Sequence, residues 1–156
     1  MQVASVLARA QGATSLGIRY KLGKGGMNPG SPTPAAGGQC DCSGFVTWCF
    51  SMSRKTTEHF YVNFNNGWLE TTAIWSDIGS AAGIFEPTQK KPGAIVVFPD
   101  GNGHQGHIGI IVDNTHVVHC SKSNDTQFGN AIRVTSLNVF SNNANSRFGW
   151  LYGLQP

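Results

Sequence analysis

Three apolar, β-branched runs crowd the second half of the chain: "GAIVVFP" (93–99), "GHIGIIVD" (106–113) and "HVVHCS" (116–121). Runs this short and continuous, bounded by Gly, Pro, Asn and Asp, read as buried strands. The "DNT" turn between the second and third is too short for a crossover helix, so those two strands must be antiparallel. "AIRVTSL" (131–137) and "RFGWLYGL" (147–154) extend the set to about five strands. The first half has a different period. Val3, Val6, Leu7 and Ala10 recur at helical spacing and stop at Gly12, which predicts a helix over about 2–12. Phe45, Val46, Trp48, Cys49 and Met52 predict a buried helix opening near Asp41 or Cys42, with Asp41 and Ser43 both good N-cap types. Between these helices, 23–38 ("GKGGMNPGSPTPAAGG") is a loop, and longer than most connections. Residues 54–83, where aromatics are scattered among Asn, Thr and Gly, predict loops and one short helix. Helices first and then a run of strands is an α+β order, with N-terminal helices packed on an antiparallel sheet.

A chain of 156 residues that is 40% hydrophobic suffices for one domain over 1–156, and no internal repeat suggests a second. Only 12% of residues are charged and the net charge is +3, a bias too small to argue for nucleic acid. The densest basic clusters, "QKK" and "SRK", read as solvated surface. No apolar run is long enough to predict membrane insertion. The first residues lack a basic n-region, and Arg9 interrupts their apolar stretch. They read as an amphipathic helix of the folded protein, so the expectation is a chain made in the cytoplasm without a signal peptide.

The four cysteines carry the chemical question. Cys40 and Cys42 are too close in sequence for a usual zinc knuckle, for an unstrained disulfide with each other, or for a redox pair. His104, His107, His116 and His119 cluster in sequence, which keeps metal binding open. Cys49, between Trp48 and Phe50, reads as a small core residue. Cys42 differs because it lies where a helix begins, after a Gly-rich loop. Unpaired N–H groups and the helix dipole favour an anion there and predict a lowered thiol pKa. Such a thiolate needs an imidazole and a group to orient it. His107 opens one predicted strand and His119 nearly ends the next. Across the "DNT" turn the two fall close to opposite, at even parity, so both face the same side of the sheet. His104 and His116 fall at turn-like positions and read as surface.

These residues resemble the NlpC-type cell-wall peptidases, small papain-like cysteine enzymes. "GIRYKLGKGG" resembles the family's Tyr-bearing segment and "CDCSGFV" holds its Asp-Cys-Ser-Gly signature. "PGAIVVF" resembles its Pro-Gly-Asp strand, and "GHIGIIVDNTHVVHCS" resembles its His-bearing strand with the strand that follows. The matches keep their order from residue 17 to 121. The resemblance implies Cys42 as nucleophile, His107 as general base and acid, and His119 as the orienting residue. It places Tyr20, Asp41 and Ser43 at the substrate, and it implies no metal and no cofactor. Two departures stand out: Ala94 replaces the usual carboxylate after Pro-Gly, and the loop before Cys42 is longer and adds Cys40.

The implied activity is hydrolysis of an amide in peptidoglycan stem peptides, foremost the bond between γ-D-glutamate and the diamino acid. A CHAP-like N-acetylmuramoyl-L-alanine amidase is the alternative within the same fold, and a non-catalytic wall-binding or metal-binding module is the alternative of another class. A wall hydrolase without an export signal suits a phage or prophage lysin, or an antibacterial effector of a contact-dependent (type VI) secretion machine. The second reading is preferred. It places the action in the periplasm of a target cell and adds a periplasmic immunity protein that plugs the cleft as a partner.

Overall fold

The computed structural model describes residues 1–156. The first helix, α1 (Val3–Gly12), buries Val6 and Ala10 against α2 (Cys42–Cys49). Between them run two short strands, β1 (Arg19–Tyr20) and β2 (Gln39–Cys40), paired in parallel with Tyr20 opposite Cys40. The Gly- and Pro-rich segment 23–38 is pinned by side chains from both helices. Arg9 reaches the Pro29 carbonyl at 2.5 Å and stacks over Trp48, whose indole N–H donates to the Ser31 carbonyl at 2.8 Å. At Gly26, which has φ +76°, a Cβ would run into the backbone of Gly44, so the loop and the first turn of α2 touch backbone to backbone.

The eight residues of α2 are all buried. Asp41 caps the helix, its carboxylate accepting the Gly44 N–H at 2.9 Å. Two further helices follow, α3 (His59–Asn65) and α4 (Thr71–Ser80), where the sequence predicts mostly loop. Each is capped by a glutamate: Glu58 accepts from Tyr61 N, and Glu70 accepts from Thr72 N and Ala73 N. They end at Asn66 and Ala81, both in the left-handed region.

The main sheet is antiparallel throughout and has six strands, ordered β3-β8-β4-β5-β6-β7. Its members are β3 (Phe85–Pro87), β4 (Ile95–Phe98), β5 (His107–Ile111), β6 (His116–Cys120), β7 (Ile132–Ser136) and β8 (Arg147–Leu151). Five correspond to the runs seen in the sequence. The sixth, β3, corrects the expected count. Its entry is built by Asp77 of α4, a fully buried carboxylate that accepts the backbone N–H groups of Gly83, Ile84 and Phe85 and the Tyr61 hydroxyl. Two short helices, α5 (Lys122–Phe128) and α6 (Asn138–Ser141), fill the connections around β7. Helix α2 crosses β5 and β6 while α4 covers β3, β4 and β8, and 33 buried apolar residues form one core between helices and sheet. No helix is long and apolar enough to cross a membrane.

Candidate active site

The Asp41 cap starts α2 at Cys42, so the thiol sits on the first turn of a helix that lies across β5. Cys42 keeps 6% of its surface and lines a cleft of about 210 Å³ with Tyr20, Asp41, Ser43, Arg54 and Trp68. A second lobe of about 490 Å³ is lined by His107, His119, Thr135, Lys122 and Phe98. Tyr20, Gln105 and Gly106 line both lobes, so the two meet at those residues.

The backbone N–H groups of Ser43 and Ile108 lie on the side of the Cys42 sulfur, where α2 packs across β5, and Ile108 is the residue after His107. These backbone N–H groups and the Arg54 guanidinium favour a thiolate. Burial and the neighbouring Asp41 oppose them and win, pushing the Cys42 thiol up to about 12. This corrects the expectation of a helix-start thiolate. Desolvation in a fully packed helix outweighs the dipole of its first turn, so the resting group is a neutral thiol.

The two histidines meet. His107 Nε2 lies 2.7 Å from His119 Nδ1, with ring centroids 4.9 Å apart and planes at 73°. The register pairs Ile110 with Val118 and Ile111 with Val117, so its continuation sets Gly109 opposite His119. His107 is therefore the diagonal neighbour on the same face rather than the facing one. A Cβ at 109 would collide with the Val117 side chain and press on the His119 Cβ, so glycine there lets β5 and β6 lie close beside the two imidazoles. Burial and the adjacent His119 lower the His107 pKa to about 3, and burial lowers that of His119 to about 4. Both rings are neutral at pH 7.

Tyr20 stands at the junction of the lobes, and burial with the nearby Cys42 and Asp41 raises its pKa, so it is a neutral hydroxyl. Asp41 and Ser43 line the cleft, but their oxygens are engaged within the chain. Asp41 accepts from Gly23 N at 2.7 Å and pairs with Arg54 at 2.7 Å, and the Ser43 hydroxyl accepts from Arg54 at 2.8 Å. Arg54 is only 1% exposed, which corrects the reading of "SRK" as solvated surface. The clue to it was a carboxylate placed at the start of a buried helix, which needs a cation. Thr135, 2.7 Å from His119 Nε2, and Phe140, stacked on His107 at 5.2 Å and 8°, also escaped sequence reasoning.

Outside this cleft, Cys40, Cys49 and Cys120 are buried free thiols, and His104 and His116 are exposed. No three His, Cys, Asp or Glu side chains are placed to hold a metal ion.

Two neutral buried imidazoles make a definite prediction for stability against pH. In the unfolded chain a histidine titrates near 6.5. Between that value and the lowered folded ones, the unfolded chain binds protons that the folded chain does not, so stability falls as pH drops from about 6.5 towards 4. His119 should contribute a slope of about 1.4 kcal/mol per pH unit, and the more solvent-accessible His107 less. Urea unfolding at a series of pH values should show this loss, and His119→Gln should flatten it by one proton. An equal slope in that variant would contradict the burial argument.

Residues 30–124, more than half of the chain, match the CHAP domain family, and the match spans Cys42, His107 and His119. No curated protein matches the chain. Among solved structures, the NlpC/p60 domain of the peptidoglycan hydrolase SagA is similar over 96% of this chain and 97% of that one, at 19% identity and a TM-score of 0.48. The chain belongs to the CHAP-domain family, papain-like cysteine peptidases and amidases that act on the cell wall, and is a hydrolase of that kind.

Proposed function

We propose that this hydrolase cleaves an amide bond in peptidoglycan stem peptides with Cys42 as nucleophile, His107 as base and acid, and His119 as the group that orients His107. The observation that carries the proposal is the 2.7 Å contact between His107 Nε2 and His119 Nδ1. It occupies one nitrogen of His107 and leaves Nδ1 to work, on the strand across which the Cys42 helix packs.

With Cys42 and His107 both neutral at rest, the chemistry is general-base catalysis and not attack by a standing thiolate. His107 Nδ1 takes the thiol proton as sulfur bonds to the amide carbon. The carbonyl becomes an oxyanion, for which the Cys42 N–H and the Tyr20 hydroxyl are the donors proposed, since the Gly44 and Phe45 N–H groups are engaged by Asp41. Collapse breaks the C–N bond, and the proton held by His107 goes to the leaving nitrogen. Water, deprotonated by the same ring, then attacks the thioester and releases the carboxylic acid and the thiol. His107 delivers the proton, so the leaving amine occupies the larger lobe and the acyl part the lobe lined by Cys42, Tyr20 and Trp68.

The bond between γ-D-glutamate and the diamino acid is the first candidate. The CHAP match brings in the second, the amide joining the sugar's lactyl group to L-alanine. Digestion of purified sacculi followed by mass spectrometry separates them. The first should give new γ-D-glutamyl carboxylates and free diamino-acid amines. The second should give stem peptides with free L-alanine amines and naked glycan. Intact muropeptides after exhaustive digestion would defeat the proposal.

A further inference from the structure

The hydroxyl of Thr135 fixes which nitrogens carry protons in both imidazoles; we propose that Thr135 is a positioning residue of the reaction, acting through His119. The proposal rests on the Cys42–His107–His119 reading above. It starts from a counting problem. One hydrogen lies between His107 Nε2 and His119 Nδ1, and two neutral rings can share it in two ways. If His107 donates, its Nδ1 is a free lone pair and His119 carries its own proton on Nε2. If His119 donates, the proton of His107 moves to Nδ1, and that ring can no longer take a proton from a thiol there. Only the first arrangement is competent, and the contact between the rings does not choose between them.

The choice is made on the far side of His119. Strand β7 runs beside β6 with Arg133 opposite His119, so Thr135 is the diagonal neighbour on the same face. Its Oγ1 lies 2.7 Å from His119 Nε2. The same hydroxyl is turned towards the Ser136 carbonyl at 3.5 Å, which gives its own proton an outlet and leaves a lone pair for Nε2–H. His119 is thereby held with its proton on Nε2, its Nδ1 accepts from His107, and His107 Nδ1 is left open. Phe140 lies flat on His107 and edge-on to His119, so both rings are packed against one aromatic surface in this arrangement. The chain of donors keeps its sense when His107 becomes an imidazolium, because Nε2–H still points at a lone pair.

Three variants and two readouts test this. Thr135→Val keeps the shape but offers no acceptor and excludes water. It should lower kcat on soluble muropeptides about 10- to 100-fold, the usual range for losing an outer partner of a working histidine, with KM little changed. Thr135→Ala opens space beside the larger lobe for a water that accepts from Nε2, so its loss should be smaller than that of Val. Thr135→Ser should restore kcat to near wild type. Nitrogen-15 NMR of the imidazoles in the substrate-free protein should place the His119 proton on Nε2 in wild type and Ser, and on Nδ1 in Val. Wild-type kcat in the Val variant, an Ala variant worse than Val, or an Nε2 proton retained in Val overturns the proposal. Cys42→Ala in the same assay separates the two ideas: activity surviving there sinks the thiol mechanism, whereas the NMR result speaks only to Thr135.

Discussion

Replacing Cys42 with alanine should lower hydrolysis of sacculi by at least about 10⁴-fold while the protein stays folded, because no other group in the cleft can form the acyl intermediate. Tyr20 is held neutral by burial, Ser43 has its oxygen engaged by Arg54, and the remaining three cysteines are buried away from both lobes. The substitution removes one sulfur from a nearly closed site and should change unfolding free energy by about 1 kcal/mol. On the proposed mechanism His107→Ala should cost a similar factor, and the double variant no more than either single one, since a nucleophile and its base would act as a unit. Cys49→Ala is the matched control: it deletes a thiol from the same helix, in the core and away from the cleft, and should retain wild-type turnover. Assays by muropeptide release at equal folded concentration decide the matter. Residual activity above about 1% in Cys42→Ala would place the nucleophile elsewhere.

The parts of this molecule legible in the sequence are those whose physics is local. Strands β4, β5, β6, β7 and β8 announce themselves as β-branched runs between turn residues. The parity of 107 and 119 about a short turn is enough to place two imidazoles on one face, although not to say that they are diagonal. Asp41 as a helix cap is equally local. Strand β3 is only three residues long, ends in Pro87, and owes its place to the distant carboxylate of Asp77. Helices α3 and α4 carry glutamate caps, and α4 sets that same Asp77 in its buried face, which hides the apolar period.

The site divides along the same line. Cys42 stands at a helix start and His107 at a strand start, both readable features, and the helix start misleads about the thiol's charge because burial is not. Thr135 and Phe140 belong to segments with no chemical signature of their own. They matter only because β7 pairs with β6 and because α6 lays an aromatic ring on His107. Arg54 is the extreme case, a basic residue in a polar stretch that folds into the interior.

Arg54→Met should be the most destabilising single change near the cleft, by about 3–5 kcal/mol, which for a chain of this length lowers Tm by about 10–15 °C. The guanidinium pairs with Asp41 at 2.7 Å, donates to Ser43 at 2.8 Å, faces the Lys24 and Gly25 carbonyls and lies over Trp68. It therefore ties the long loop, the helix start and the segment after α2 to one cation. Methionine fills much of the volume but strands the Asp41 carboxylate, itself only 2% exposed, with two backbone N–H groups and no countercharge. The loss should come from that uncompensated anion and not from lost packing. Arg54→Met combined with Asp41→Asn should then be more stable than Arg54→Met alone, although the arginine's own unpartnered Nε shows that the native network is already imperfect. The same anion raises the thiol, and Arg54 now offsets it, so alkylation of Cys42 by iodoacetamide should shift to higher pH in Arg54→Met and part of the way back in the double variant. A single variant within 1 kcal/mol of wild type, with an unchanged alkylation profile, would mean that the buried cation is a bystander to both the fold of the loop and the chemistry of the sulfur.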